Sequence, residues 1–99
     1  MAYRAFADKL RAQAKRKKLI LPADGMEIFF YIPMPASWSG AKKVRMHHMP
    51  HQQKPDLDNL VKALFDALCE DDSHIWRLSR VEKRWASKGV INILTNEVA

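Results

Sequence analysis

Residues 54–68 read KPDLDNLVKALFDAL, and this stretch decides what kind of domain the chain forms. Its apolar residues recur at intervals of three and four positions, as they do on one face of an amphipathic helix. Pro55 disfavours helical geometry at Lys54, and Asp58 is a good N-cap whose carboxylate suits the positive end of the helix. The pattern predicts a helix that begins near Asp58 with an apolar stripe made of Leu57, Leu60, Val61, Leu64, Phe65 and Leu68.

The segments before this helix predict another helix and an inner strand. Residues 2–18 carry apolar side chains at helical spacing, and residues 22–25 form a turn. In residues 26–32 large apolar side chains fall on both faces of an extended segment, which is typical of a strand covered on both sides. Residues 36–53 are predicted to be loop, or only briefly helical.

The segments after the helix predict two strands, over residues 75–85 and 90–95, with a helix as the alternative for the first of them. Ser87, Lys88 and Gly89 between them favour a hairpin. The order helix, strand, loop, helix, strand, strand predicts an α+β fold, with a small mixed sheet and two main helices in one compact domain over residues 1–99. A chain of 99 residues buries only roughly 60–65 % of its unfolded surface, so association would stabilise it.

The composition of the chain favours a polyanionic partner. It has 17 basic and 11 acidic residues and a formal charge of +6, which suits nucleic acid before a membrane, although a basic surface can also serve solubility alone. Its single cysteine, Cys69, excludes an intrachain disulfide and fits a reducing compartment. No apolar stretch approaches the ~20 residues of a membrane span, and the N-terminus lacks the apolar core of a signal peptide. A cytoplasmic protein is therefore expected.

Two carboxylates, Asp56 and Asp58, are the first candidates for chemistry. Separated by one residue, they point the same way if the backbone is extended, while Leu57 between them points into the core. They can then share a divalent cation, and Mg²⁺ prefers one or two carboxylates together with a substrate phosphate. The alternative treats Asp58 as an N-cap and Asp56 as an ordinary turn acid, and the tripeptide alone favours this alternative.

Lys62 and the pair Asp71 and Asp72 extend the candidate site. Lys62 lies four residues after Asp58, where it can form an ion pair along the helix or neutralise the charge of an attacked phosphate. Asp71 and Asp72 follow the end of the helix, where the helix dipole disfavours carboxylates. A bound cation would offset that cost, and a solvated acidic turn is the alternative.

Three histidines lie in the basic loop before this site, at His47, His48 and His51. The interval from His47 to His51 suits two metal ligands on a helix. The segment holds no Glu and no Cys, however, so the pattern gives little support to a zinc site. Histidines in a basic loop more often contact phosphate, or have no specific contact.

Taken together, residues 54–68 followed by Asp71, Asp72 and Ser73 resemble the RusA family of Holliday-junction resolvases. The motif of acid, spacer, acid, Asn, two residues, Lys and then Asp-Ala-Leu is specific, while the acid pair and the strand at residues 90–93 are weaker matches. The resemblance implies a homodimeric, Mg²⁺-dependent endodeoxyribonuclease, with Mn²⁺ able to substitute, that cuts four-way DNA junctions by paired symmetric nicks. Such enzymes are typical of phages and prophages and serve recombination and repair.

The resemblance also assigns roles to single residues. Asp56, Asp58 and Asp72 match the metal-binding acids, with Asp71 beside the third, and Lys62 matches the family's active-site lysine. Candidates to hold the backbone of a four-way or branched DNA are Lys42, Lys43, Arg45, Lys54, Arg77, Arg80, Lys83 and Arg84. No membrane and no protein partner beyond a second copy is implied.

Two other functions remain open from the sequence. In the first, the acids are structural and the chain is a non-catalytic basic DNA-binding module, whose binding is indifferent to Mg²⁺ and strongly salt dependent. In the second, the chain is a small phage interaction protein that uses the fold only to dimerise. The convergence of Asp56, Asp58 and Asp72 on one exposed face would distinguish the nuclease from both.

Overall fold

Three strands and two helices make up the part of the chain described by the structure, a computed structural model that covers residues 21–68 and 72–95. In chain order they are β1 (Asp24–Pro33), α1 (Gly40–Met46), α2 (Leu57–Leu68), β2 (Arg77–Ala86) and β3 (Val90–Leu94). The mixed sheet with helices confirms the predicted α+β class. The helix predicted over residues 2–18 lies outside the described residues.

Strand β1 is the middle strand of the sheet, as its sequence predicts. It pairs with β2 in parallel and with β3 in antiparallel orientation. Met26, Ile28 and Phe30 alternate along one face and are fully buried, whereas Phe29 and Tyr31 lie half-buried on the other face. The buried face of β1 therefore forms one side of the hydrophobic core.

The predicted hairpin between the last two strands is wrong, because β2 and β3 pair with β1 and not with each other. Ala86 pairs with Pro33 and Val90 with Tyr31, so residues 87–89 cross over the end of β1. Three extended residues span roughly 10 Å, which matches two strand spacings of about 4.8 Å. A short connection of turn residues is therefore compatible both with a hairpin and with strands on either side of β1. The apolar β1 strand favours the second arrangement, in which it is the middle strand.

Gly89 suits this crossing because the connection passes close to β1. A Cβ atom at Gly89 would lie 3.3 Å from the Cγ atom of Pro33, tighter than most side chains accept. The amide of Met34 donates to the carbonyl of Ala86 at 2.9 Å, which fastens the end of β1 to the end of β2. The connection therefore lies against the sheet as it crosses.

Helix α2 covers the buried face of the sheet with its predicted apolar stripe. Leu60, Leu64 and Phe65 are buried and join Leu21 and the buried side chains of β1 in one core cluster. The carbonyl of Asp56 accepts the first helical hydrogen bond, from the amide of Leu60 at 3.1 Å. Asp56 therefore precedes the helix and Asp58 lies in its first turn, so the prediction of Asp58 as the N-cap is wrong. The helix begins earlier because Leu57 packs against the core.

Helix α1 and the residues after it connect β1 to α2, in the region predicted as loop or briefly helical. The side chain of Ser39 caps α1 by accepting from the amide of Lys42 at 3.1 Å. Residues 48–51 then run along the free edge of β2. The amide of His48 donates to the carbonyl of Trp85 at 2.8 Å, and the amide of His51 donates to the carbonyl of Lys83 at 3.0 Å. This edge segment leads from α1 towards the start of α2.

Neither described helix has the length and the apolar character that crossing a bilayer requires.

Candidate active site

Asp56 and Asp58 lie at the start of α2, one just before its first residue and the other in its first turn. Both are exposed, while Leu57 between them is half-buried against the core, as the sequence predicts. Within residues 21–68 and 72–95 neither carboxylate has an ion pair. The amino end of the helix adds a positive dipole to the same place. Two exposed carboxylates without an ion-pair partner therefore lie two positions apart at the start of α2. Leu57 and Asp58 are helical, so the extended backbone on which both carboxylates were expected to point the same way is not formed.

The third predicted acid, Asp72, is exposed just after the end of α2, and Asp71 lies outside the described residues. In the described part of the chain no three His, Cys, Asp or Glu side chains form a group arranged to hold a metal ion. The structure thus places Asp56 and Asp58 at one end of α2 without assembling a three-ligand set around them. The metal-binding role of Asp56, Asp58 and Asp72 stays a prediction.

The donors that are present fit Mg²⁺ by their chemistry. Carboxylate oxygens are the hard ligands that this ion prefers, and one or two protein carboxylates suffice because the ion keeps several waters. The exposure of Asp56 and Asp58 leaves room for those waters and for a phosphate. These residues therefore fit a site completed by water and substrate.

Lys62 is exposed on α2, four residues after Asp58 and thus on a neighbouring part of the helix surface. Among the described residues it has no salt bridge, so the ion pair considered as an alternative role is not formed with Asp58 or Asp66. Its ammonium group is available to a phosphate bound near the acids.

Lys83 binds two backbone carbonyls of the loop before α2, a contact that the sequence did not predict. Its ammonium group donates to the carbonyl of Gln53 at 2.5 Å and to the carbonyl of Pro55 at 2.7 Å. The side chain is half-buried, in register with Phe30 on the core side of the sheet. No local sequence pattern indicates this contact, because β2 and the loop before α2 are about 30 positions apart. Whether Lys83 also contacts DNA stays a prediction.

Three of the predicted DNA-binding arginines have carboxylate partners within the protein. Glu82 lies between Arg80, at 3.5 Å, and Arg84, at 2.7 Å. Arg77 pairs with Asp24 on the exposed edge at 2.5 Å. The hydrogen bond from Arg77 holds the pKa of Asp24 below its ordinary value. Each guanidinium has further N–H donors, so the DNA-binding role of these arginines stays a prediction.

The remaining predicted cations have no carboxylate partner in the residues that the structure describes. Lys42 lies over the ring of Trp38, with its Nζ atom 4.2 Å from the ring centre, and Trp38 in turn packs against Trp85. These cations all belong to α1 or to the loop before the acids: Lys42, Lys43, Arg45 and Lys54. They form a basic stretch that precedes the candidate site in the chain.

The loop histidines separate into two environments. His47 and His48 are exposed, with rings stacked at 3.8 Å. His51 is only 3 % exposed, and its ring packs against Trp85 at 4.2 Å. Its Nδ1 atom has no hydrogen-bond partner among the described residues. Burial, and then the charge of Lys83, lower the pKa of His51, which therefore stays neutral near pH 7.

Comparison with known protein families gives one match. The family model described as endodeoxyribonuclease RusA matches residues 1–94, nearly the whole chain. No curated protein and no solved structure was found to match it. The match includes both acids at the start of α2, Lys62, Asp72 and the basic stretch.

Proposed function

This chain belongs to the RusA family of endodeoxyribonucleases, which act on Holliday junctions, and from that premise we propose that it is a Mg²⁺-dependent resolvase of four-way DNA junctions. The observation that carries the proposal is the pair of exposed, unpaired carboxylates, Asp56 and Asp58, at the start of α2. The positive end of the helix dipole favours carboxylates at this place, and they supply the oxygen ligands that a metal-dependent nuclease needs. We expect Mn²⁺ to substitute for Mg²⁺.

Asp56 and Asp58, together with Asp72 and with Asp71 beside it, would hold the metal. When bound, Mg²⁺ lowers the pKa of a coordinated water and polarises the phosphate. Lys62 stabilises the negative charge that develops on the phosphate oxygens, since its exposed ammonium group lies one helical turn beyond Asp58. The protein would thus contribute carboxylates to hold the metal and a cation for the phosphate.

The DNA backbone would lie along the basic stretch formed by Lys42, Lys43, Arg45 and Lys54. These cations precede the acids in the chain and have no carboxylate partner within the described residues, so binding them to phosphate breaks no ion pair. Such contacts hold the duplex without reading its sequence. Arg77, Arg80 and Arg84 would add contacts through the N–H donors that their carboxylate partners leave free.

We infer that the working form is a homodimer. A two-fold assembly presents two equivalent sites to a nearly two-fold junction, which allows paired symmetric nicks in opposed strands. A role in the recombination or repair of phage or prophage DNA, in the cytoplasm, follows from that activity.

The proposal is tested with Asp56→Asn and Asp58→Asn in a cleavage assay on a synthetic four-way junction. Each variant should lose Mg²⁺-dependent cleavage and keep or strengthen junction binding, because a negative charge near the DNA is removed. Asp66→Asn is the matched control, since Asp66 is an exposed acid further along the same helix. Full cleavage by both test variants would eliminate the proposed site.

A non-catalytic DNA-binding module is the second candidate, and one observation favours it. In the described residues the acids do not form a three-ligand group. This candidate predicts that wild-type protein binds the junction equally well in Mg²⁺ and in EDTA, and cleaves it in neither. Binding would then fall steeply as salt is raised.

A further inference from the structure

Lys83 binds the segment that leads to Asp56 at three points. Its main-chain carbonyl accepts from the amide of His51 at 3.0 Å, and its ammonium group donates to the carbonyls of Gln53 and Pro55. Alternate residues of the segment are therefore attached to a single residue of β2. Because β2 is itself paired along its length with β1, the attachment is to the rigid part of the domain.

The contact with Pro55 fixes the backbone on one side of Asp56. The carbonyl of Pro55 and the amide of Asp56 belong to the same planar peptide unit. On the other side, the carbonyl of Asp56 accepts the hydrogen bond from the amide of Leu60 that opens α2. With both peptide planes held, the two backbone dihedral angles of Asp56 are set, and with them the direction of its Cβ atom.

From this geometry we propose that Lys83 is a positioning residue for the metal-binding carboxylates, acting through the backbone at Asp56. That Lys83 holds the backbone at Asp56 is inferred from its contacts alone. That this affects metal binding and cleavage rests on the proposed function. Lys83 does not need to touch the substrate in this role. Two of its three N–H donors are taken by backbone carbonyls, which distinguishes Lys83 from Lys54, an exposed lysine of the segment that it binds.

The direction in which the Mg²⁺ affinity changes distinguishes a positioning role of Lys83 from an effect of its charge alone. A cation close to a metal site opposes metal binding, so removing the charge of Lys83 alone would tighten the binding of Mg²⁺. Loss of positioning has the opposite effect, since removing a group that orients a ligand typically weakens metal binding about 10- to 100-fold. Lys83→Met keeps the apolar stem that lies on the core side of the sheet and removes only the ammonium group.

The experiment compares Lys83→Met with Lys88→Met, which removes one exposed lysine from the connection between β2 and β3. The dissociation constant of Mg²⁺ is measured from the backbone amide signals of Asp56 and Asp58 in metal titrations. We expect Lys83→Met to raise it by about tenfold or more, and Lys88→Met to leave it within about twofold of wild type. An unchanged or lower value in Lys83→Met would overturn the proposal.

Junction assays supply a second readout. Lys83→Met should reduce cleavage at low Mg²⁺ and recover as Mg²⁺ is raised, while the salt dependence of junction binding stays as in wild type. A salt slope reduced by about one, with normal Mg²⁺ affinity, would make Lys83 a phosphate contact and overturn the positioning role.

The backbone order at Asp56 can be measured in the absence of metal and DNA. This inference can therefore fail while the proposed function holds, and the reverse. The ¹⁵N heteronuclear NOE of Asp56 should fall in Lys83→Met and not in Lys88→Met, and equal values in the two variants would overturn the proposal. If Lys83→Met does not fold, Lys83→Gln removes the same charge from a shorter side chain and is judged by the same measurements. Absence of cleavage by wild type would refute the nuclease and leave this readout intact.

Discussion

Replacing His51 by phenylalanine tests the account of the loop before the acids. His51 is 3 % exposed, its ring packs against Trp85, and its Nδ1 atom has no hydrogen-bond partner in the described part of the chain. A buried polar atom without a partner costs about 1–3 kcal/mol. Phenylalanine keeps the aromatic packing and removes that atom, while the fit of its larger ring takes back part of the gain. We expect His51→Phe to be more stable than wild type by about 1 kcal/mol at pH 8.

The difference in the free energy of unfolding between His51→Phe and wild type should grow as the pH falls. The pKa of His51 is lowered in the folded protein by burial and then by the charge of Lys83, and in the unfolded chain it is ordinary, about 6.5. Between these two values the unfolded state binds more protons, so the free energy of unfolding of wild type decreases as pH is lowered through that interval. The slope from this one group is at most about 1.4 kcal/mol per pH unit, and it levels off below the folded pKa.

The measurement is urea unfolding of wild type and His51→Phe at pH values from 8 to 5. Groups that titrate in both proteins cancel in the difference. His47→Phe is the matched control, because His47 is an exposed histidine of the same loop, and we expect its stability within about 0.5 kcal/mol of wild type. A destabilised His51→Phe at pH 8, with the same pH dependence as wild type, would refute the reasoning.

Two further predictions test the core and the surface. Leu64→Ala removes a fully buried side chain from α2 and should cost about 3 kcal/mol in urea unfolding, whereas Val44→Ala, at a position that is 82 % exposed, should change stability by less than about 0.5 kcal/mol. Equal effects of the two would contradict the assignment of the core face. Arg77→Ala should let the pKa of Asp24 rise towards its ordinary value, since the hydrogen bond from Arg77 is the main cause of its lowering. A ¹³C titration of the Asp24 carboxyl group measures this, and an unchanged pKa would show that another group is responsible.

The sequence was sufficient to predict the faces of the main elements. The stripe of α2 and the central place of β1 follow from periodicity, because burial on one face or on both is recorded in the spacing of apolar residues. Periodicity does not record which strand is the neighbour of which. The residues between β2 and β3 therefore suggested a hairpin, although the strands lie on either side of β1.

The sequence is enough to propose the residues of the candidate site, but it does not reveal the contacts that hold their backbone. Asp56, Asp58 and Lys62 follow from a local motif, and the structure leaves all three exposed, the two acids at the start of α2 and Lys62 one turn further along it. The contacts of Lys83 and the burial of His51 depend on strand β2, some 30 positions away. No local pattern distinguishes a lysine that binds backbone carbonyls from one that faces solvent.

The central position of β1 has a consequence for how the protein is made. Both of its partners follow it at a long distance in the sequence, and its first pair, Asp24 with Arg77, joins residues 53 positions apart. A long loop must therefore close before any two strands meet, which makes folding slower than for a sheet built from neighbouring strands. During synthesis on the ribosome, β1 has to wait with its large apolar side chains exposed until β2 and β3 have emerged.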